Sequence, residues 1–435
     1  LERPPRFRLS IDGSSSQGSG RRTEGMRSAE EILKEAGIPA RRVEVPGSQE
    51  EVASLVALAR KDRMRILPLG GGTSIGLAPV PEEGVDLVLD MRGLNTIREL
   101  DPGNLNMVVD AGKTIEEINR ELAQVGRGFM LPLDPPRCHE VTLGGCYAAN
   151  SSGPLRHLYG TMRDLALGVK GVNSEGKEVG FGGVTVKNVS GYDLTKFLIG
   201  SAGSLAIVTS VALRILPIPD ASAMCEISFQ RGSDVQGFLR ELRGSVLLPS
   251  ALVVTWKTGD EALKVVIGLE GHPKAVERQG REILDMAKRH GGEGQKIEGR
   301  EAMERGLRNS VDPKRLTSQT MGLKVGVAIA KGLELMLSIE DLAAKGQVEA
   351  SFSLLAGNGI GFVYATDSST SVLEEMAKKV REIASEKGGH VVPLFGPRQI
   401  LLSWGPRMDA RLGRKTLKPI KQLWDPEGLL LPLGL

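Results

Sequence analysis

Met64-Arg65-Ile66-Leu67-Pro68-Leu69-Gly70-Gly71-Gly72-Thr73-Ser74 is the stretch on which the fold of this chain turns. An apolar run of strand character enters three consecutive glycines, which leave their backbone N–H groups unshielded by any Cβ. Glycine also reaches the φ > 0 angles that turn successive N–H groups toward one point. Such a concavity is an anion site suited to phosphate or diphosphate, and the Thr73 and Ser74 hydroxyls add donors. The stretch has neither the Gly-Lys-Thr/Ser ending of a P-loop nor the G-x-G-x-x-G spacing that opens a dinucleotide-binding helix. Standing alone, the loop would read as a glycine-rich surface turn. Three further segments argue otherwise.

Outward from the loop, hydrophobic periodicity defines the elements. Arg42 to Pro46 reads as a strand, and Gln49 to Lys61 as an amphipathic helix with Val52, Leu55, Val56 and Leu58-Ala59 on one face. With Arg65 to Leu69 they form a β-α-β unit that delivers the chain to the glycines. Strands at 86–89 and 106–110 follow, then a helix over 114–125 with Thr114 as its N-cap. Short strands at 166–172, 177–179 and 207–216 complete this half. Pro217 and Pro219 then punctuate the chain. Beyond them two successive sets read β-α-β-β-α-β or nearly so, over 223–290 and 323–394. That rhythm predicts two ferredoxin-like halves sharing one antiparallel sheet. A basic helix over 409–423 and the tail Trp424-Asp425-Pro426-Glu427-Gly428 close the sequence.

At 435 residues, 40% hydrophobic and 25% charged, the chain has room for two domains with substantial cores. Its 55 glycines stand well above the usual share of roughly 7%. The net charge of +3 is spread through mixed signs, with no basic stripe interleaved with aromatics, which argues against nucleic-acid binding. Cys138, Cys146 and Cys225 lack C-x-x-C spacing, so an iron–sulfur cluster or structural zinc within the chain is not expected, and a reducing cytoplasm is. No apolar run reaches membrane-spanning length and the N-terminal residues lack a signal-peptide pattern. Membrane contact is expected only through partners, at most peripherally at the inner face.

The remaining segments are Leu131-Pro132-Leu133-Asp134-Pro135-Pro136 with Thr142-Leu143-Gly144-Gly145-Cys146-Tyr147-Ala148-Ala149-Asn150-Ser151-Ser152-Gly153, then Tyr159-Gly160-Thr161-Met162-Arg163-Asp164, then Gly191 to Thr209 with Gly200-Ser201-Ala202-Gly203-Ser204-Leu205 at its centre. Small residues, isolated hydroxyl and amide donors and few charges suit a wide, planar ligand whose polar edge is read by backbone groups.

Together the four segments resemble the PCMH-type FAD-binding domain of the vanillyl-alcohol-oxidase superfamily, in its glycolate oxidase/D-lactate dehydrogenase branch. The resemblance covers roughly Val43 to Pro217 plus the Asp-Pro-Glu-Gly tail. It implies an α+β fold: a bipartite FAD-binding domain over 26–217, an antiparallel cap over 218–405 and a segment over 406–435 returning to the flavin; residues 1–25, rich in Arg, Ser and Gly with little apolar content, read as a disordered or peripheral arm. It also implies that Pro68, Gly70, Gly71, Gly72, Thr73 and Ser74 hold the FAD diphosphate. Leu133, Asp134, Thr142, Gly144, Gly145, Ala149, Asn150, Ser152 and Gly153 would line the isoalloxazine and ribityl. Gly203 and Ile207 would lie beside the diphosphate and adenosine half. The first loop has no His or Cys, so non-covalent FAD is expected.

The sequence departs from the family pattern at Ala202, where Glu is usual, at Leu205-Ala206-Ile207, and at Leu431-Pro432-Leu433. The largest departure lies in the second domain. Where catalytic members of the branch carry a histidine-rich metal segment, this chain reads Ser353-Leu354-Leu355-Ala356-Gly357-Asn358-Gly359-Ile360-Gly361, and later Gly388-Gly389-His390 without Glu-His-Gly. His139, His157, His272, His290 and His390 have no ligand spacing, so no metal site is expected and no catalytic residue is assigned. This pattern resembles the second, E-type flavoprotein subunit of glycolate oxidase. It implies an FAD-binding subunit of a 2-hydroxy-acid oxidoreductase beside a catalytic FAD-linked partner and an iron–sulfur subunit. The alternatives are a self-sufficient FAD dehydrogenase and a scaffold that has lost flavin. Arg156, Arg163 and Lys187 are candidates for balancing negative charge, and His390 for facing the flavin; for each, a solvated or structural role is the plainer reading. Cys146 reads as a packing residue.

Overall fold

The computed structural model describes residues 27–184, 193–405 and 416–432. The expected arm over 1–25, Lys187 and the start of the basic helix lie outside them. Three parallel strands, β1 (Ala40–Glu44), β2 (Ile66–Leu69) and β3 (Val85–Asp90), form a small sheet in the order β1-β3-β2. The helix Gln49–Lys61 crosses from β1 to β2. Ser48 caps it by accepting from the Glu51 N–H, Glu50 and Glu51 sit in its first turn, and Arg60 and Lys61 in its last, which suits the helix dipole. Val52, Val56 and Ala59 bury its inner face. The middle of β3 is apolar at Val85, Leu87, Val88 and Leu89, all buried, as suits a covered parallel strand.

Seven strands follow: β4 (Ile97–Asp101), β5 (Asn106–Asp110), β6 (Phe129–Met130), β7 (Ala166–Val172), β8 (Glu178–Gly182), β9 (Ile207–Arg214) and β10 (Leu216–Pro217). Five make an antiparallel sheet in the order β4-β5-β9-β7-β8, while β6 pairs with β10. The bipartite α+β domain expected from the sequence is thus a parallel and an antiparallel sheet meeting through one core, in which Val172 and Ile207 pack with Val52, Val56 and Leu89.

The cap is one sheet of β11 (Ala221–Phe229), β12 (Ala251–Lys257), β13 (Leu263–Gly271), β14 (Glu293–Glu298), β15 (Thr320–Gly326), β16 (Glu349–Leu355), β17 (Ile360–Thr366) and β18 (His390–Phe395). Its order, β14-β11-β13-β12-β16-β17-β15-β18, is two ferredoxin-like halves joined edge to edge through β12 and β16. Helices Gly232–Gly244, Pro273–Arg289, Gly332–Gly346 and Thr370–Glu386 fill the crossovers. They bury Phe238, Ile283, Met336 and Val380 against one face. The opposite face meets the helix Arg300–Val311 and the first domain, where Leu155 joins Met224, Val253, Phe362 and Tyr364. Polar ties cross this boundary, among them Tyr159 Oη donating to Glu270 at 3.1 Å and the Arg137 N–H donating to Asp312 at 2.6 Å.

The final segment folds back onto β2. Ile66 N–H donates to the Leu429 carbonyl at 2.8 Å, and Leu430 forms a parallel bridge to Ile66. Asp425, buried, accepts from the N–H groups of Leu429 and Leu430 at 3.0 and 2.9 Å.

Candidate functional site

β2 hands the chain to the glycine loop at its C-terminal end. Gly72 takes φ = +69°, the left-handed angle that glycine adopts without a Cβ penalty. Gly71 is needed for a different reason, because a Cβ there would lie 1.8 Å from the Glu140 carbonyl oxygen. Among the described residues, the N–H groups of Gly71, Gly72, Thr73 and Ser74 have no acceptor, and the Thr73 and Ser74 hydroxyls have no partner. Backbone donors shielded from water are normally paired. A run of unused donors on a half-buried loop is what an anion site looks like before the anion is counted, and it fits a diphosphate.

The second segment packs directly on the first. Gly70 abuts the Thr142 side chain, and Thr142 caps the helix Leu143–Ala149 by accepting from the Gly145 N–H at 3.2 Å. Thr142 Oγ1 thus accepts one hydrogen bond, and its O–H has no acceptor among the described residues. That helix ends at Asn150 in the left-handed conformation, φ = 45° and ψ = 50°. Gly144 sits against Ala111, and Gly153 against the Asp134 carbonyl. The Asp134 carboxylate accepts from the Leu155 N–H at 3.0 Å, so its side chain holds the Asn150–Leu155 turn in place. Burial drives its pKa well above the ordinary range, the Leu155 bond opposing and the nearby Glu270 charge adding. Leu133 is buried beside it.

The last segment, Gly191 to Thr209, docks through Gly200 and Ala202 on the C-terminal end of the same helix. The N–H groups of Gly200 and Ala202 donate to the carbonyls of Tyr147 and Ala148, at 3.1 and 2.8 Å. Ala202, where the family pattern has Glu, takes φ = +52°, and Gly203 packs against Pro68. Ala149 is half-buried on the helix. Ile207 is the exception, buried at the start of β9 opposite Val172 and in the core rather than at the loop junction.

Two buried polar atoms beside these segments, Asn150 Oδ1 and Arg156 Nε, have no partner among the described residues. Arg156 Nη1 donates to Ser152 Oγ at 3.1 Å, and from the cap Lys324 Nζ donates to the Asn150 carbonyl at 3.3 Å. Burial lowers the Lys324 pKa to about 8, with the Arg156 charge adding to the shift. His390, exposed at the start of β18, is pushed below the ordinary histidine range by desolvation and then by the Lys324 charge. Lys324 was not singled out in the sequence, where a lone lysine in an otherwise apolar strand was the available signal. Arg163 is exposed and donates to the Lys196 carbonyl.

At the β16–β17 turn the cross-strand pairs are Leu354–Gly361 and Leu355–Ile360, and the Phe352 ring fills the space a side chain at Gly361 would take. No cluster of three or more His, Cys, Asp or Glu occurs among the described residues. Cys146 is buried, with Sγ against the Ser151 carbonyl at 3.2 Å. A separate cavity of about 880 Å³ lies beside the loop, lined by Arg27, Thr114, Arg137, Glu140 and Phe395 among others, and touches the expected cofactor residues at Gly72. Burial would raise the Glu140 pKa, but hydrogen bonds from His139 and Arg137, with the charges of Arg137 and Arg27, hold it well below the ordinary range.

Residues 40–182 match a family described as an FAD binding domain. Among curated proteins, the chain is 25% identical over 414 residues to glycolate oxidase subunit GlcD of Bacillus subtilis, covering 89% of this chain and 87% of that one. It is 31% identical over 224 residues to D-lactate dehydrogenase of Archaeoglobus fulgidus, covering 51% and 49%. To glycolate oxidase subunit GlcE of Escherichia coli it is 35% identical over 162 residues, covering 37% and 45%. The chain thus spans most of the first relative and under half of the other two. Two solved structures share the fold: alkyldihydroxyacetonephosphate synthase, at TM-score 0.67 and 20% identity over 89% of this chain and 76% of that one, and xylooligosaccharide oxidase from Myceliophthora thermophila, at 0.68 and 15% over 92% and 93%. The class follows: an FAD-dependent oxidoreductase in which an FAD-binding domain is joined to an antiparallel cap. FAD is its cofactor, and the Gly71–Ser74 N–H groups, without an acceptor among the described residues, offer donors of the kind a diphosphate takes.

Proposed function

We propose that this chain is the FAD-binding subunit of a multi-subunit 2-hydroxy-acid oxidoreductase of the glycolate or D-lactate type. In it a non-covalent flavin is held beside a catalytic flavoprotein and an iron–sulfur subunit. One observation carries the reading: apolar Leu355 and Ile360 pair across the β16–β17 turn, at the place where catalytic members of the branch carry metal-binding histidines. Bound FAD supplies reversible two-electron storage, and the protein's part is to bind, orient and tune it. The Gly70–Ser74 loop grips the diphosphate, the Asn150–Gly153 turn borders the ring, and the apolar cap residues Phe362 and Leu355 exclude water. The partial match to subunit GlcE supports the subunit role. No helix among the described residues is long and apolar enough to cross a membrane, so membrane contact in this reading comes through the partners.

A second reading, a self-sufficient dehydrogenase, has one observation in its favour: the similarity to subunit GlcD runs through both domains. Anaerobic rapid mixing of the purified yellow chain with glycolate or D-lactate separates the two. The subunit reading expects no flavin bleaching at catalytic rates without partners, and co-purification of a second flavoprotein and an iron–sulfur protein from the native source. Fast bleaching of the isolated chain refutes it.

A further inference from the structure

The inner face of the cap sheet changes character along its strands. Toward the flavin domain its side chains are apolar, at Met224, Val253, Val266 and Leu355. At the next positions on the same face the strands turn polar: Glu226 in β11, Thr255 and Lys257 in β12, Lys264 in β13, Ser353 and Ser351 in β16. Register brings these together, with Thr255 opposite both Lys264 and Ser353, and Lys257 opposite Ser351. The helix Arg300–Val311 roofs this end without filling it. It is pinned where Gly306 leaves no room for a Cβ against Met224 Sδ. Its last turn is pinned as well, where Ser353 Oγ donates to the Ser310 carbonyl and Tyr364 Oη to that of Val311 at 3.0 Å. Between roof and sheet lies a cavity of about 470 Å³, which shares no residue with the segments expected to hold FAD. That volume is within the range of small-molecule sites.

Three lysines reach this cavity from separate places in the chain: Lys257, Lys264 and, from the loop after the helix, Lys314. Burial lowers the Lys314 pKa; Asp312 opposes, and the Lys257 and Lys264 charges add to the shift. Their neutralisation is incomplete. Lys257 stands 3.9 Å from Asp260, Lys314 donates to the Asn309 carbonyl, and Asp312 already accepts from the Arg137 N–H across the domain boundary. Lys264, Arg305 of the roofing helix and half-buried Glu226 all line the cavity, yet none forms an ion pair among the described residues. Opposite charges that share a cavity and stay apart leave room for a ligand between them. Clustered lysines are point charges that suit a tetrahedral dianion, whereas a planar carboxylate is better matched by an arginine fork. A carboxylate such as Glu226 only accepts, so it calls for a hydroxyl on the ligand. We propose that this cavity is a second ligand site, taking a small phosphate monoester that carries hydroxyl groups. Lys257, Lys264 and Lys314 seat the phosphate with the Thr255 and Ser351 hydroxyls donating to it, and a ligand hydroxyl donates to Glu226.

The test is isothermal titration calorimetry of the FAD-loaded full chain at fixed ionic strength, with glucose 6-phosphate, inorganic phosphate and succinate as probes. Glucose 6-phosphate is expected to bind saturably at one site, inorganic phosphate more weakly and succinate more weakly still. Lys257→Met and Lys264→Met are each expected to weaken glucose 6-phosphate about tenfold, the loss of one charge-assisted hydrogen bond, with the ratio of flavin to protein absorbance unchanged. Glu226→Leu is expected to weaken glucose 6-phosphate and leave inorganic phosphate as tight or tighter, which a merely basic surface would not do. No saturable binding of glucose 6-phosphate overturns the proposal, as does binding that both lysine variants leave intact. Succinate binding as tightly as the sugar phosphate overturns it too, since the lysines would then serve any dianion. Wild-type protein purified without flavin would sink the flavin-holding reading and leave this site standing.

Discussion

At Gly71 a methyl group would meet the Glu140 carbonyl oxygen at 1.8 Å, and that oxygen belongs to backbone, which cannot rotate away as a side chain can. Gly71→Ala must therefore part the glycine loop from the turn that precedes Thr142. Overpacking of this kind typically costs about 1–3 kcal/mol. Because the same movement displaces the free N–H groups, the variant is expected to lose both stability in urea unfolding and most of its flavin, read as the ratio of 450 to 280 nm absorbance. Full flavin retention would show that the loop's closeness to Glu140 is irrelevant to binding. Lys324 gives the residue scale a pH signature. Its folded pKa, pushed down to about 8 by burial and then by Arg156, lies below its unfolded value. The charged form therefore weighs against the fold, and that penalty is relieved as pH rises from about 8 toward the ordinary lysine value. The thermal midpoint of flavin-free protein should climb across that window in wild type, and the climb should be missing in Lys324→Met.

Among elements, the returning tail is the one whose loss reaches furthest. Asp425 accepts two backbone N–H groups and pairs with Lys421 at 2.6 Å, while Lys421 also donates to the Ser204 carbonyl at 2.7 Å, beside Gly203. Breaking one side of a buried pair typically costs about 3–5 kcal/mol, whereas replacing both by apolar groups costs far less. Asp425→Leu alone should be strongly destabilising in urea, and Lys421→Met with Asp425→Leu should recover much of the loss. Equal, additive costs would show that the pair acts as two independent surface groups. Elements of this size were largely legible in the sequence. Helix Gln49–Lys61 and the alternating β-α-β-β-α-β rhythm follow directly from apolar period, and the sheet order of the cap follows from that rhythm. β4 and β14 were not legible, because both are charged edge strands, half-exposed or exposed along most of their length. The helix Arg300–Val311 was missed as well. It is rich in arginine and glutamate, and its few buried residues, Met303, Leu307 and Val311, have meaning only against the sheet they cover.

At the scale of the whole molecule, function depends on what the cap brings to the flavin domain. The glycine loop and the Thr142–Gly153 segment declare themselves in sequence because small residues and hydroxyls cluster there. Their mutual contact, Gly70 on Thr142 and Gly203 on Pro68, is a tertiary fact. Lys324 stayed hidden for the same reason, since nothing local distinguishes a strand lysine bound for solvent from one that crosses to Asn150 174 residues away in sequence. The apolar β16–β17 turn, by contrast, was readable residue by residue, and it is the observation on which the proposed flavin-holding role rests. The central claim remains that unpaired amides at the end of β2 grip the diphosphate of FAD. A crystal structure of the FAD-loaded chain tests it most directly. The account predicts diphosphate oxygens within hydrogen-bond distance of the Gly71–Ser74 N–H groups, with the ring beside Asn150 and Ser152. A flavin nucleotide seated instead in the cavity lined by Arg27, Arg137 and Glu140, with the loop amides turned away, would contradict it.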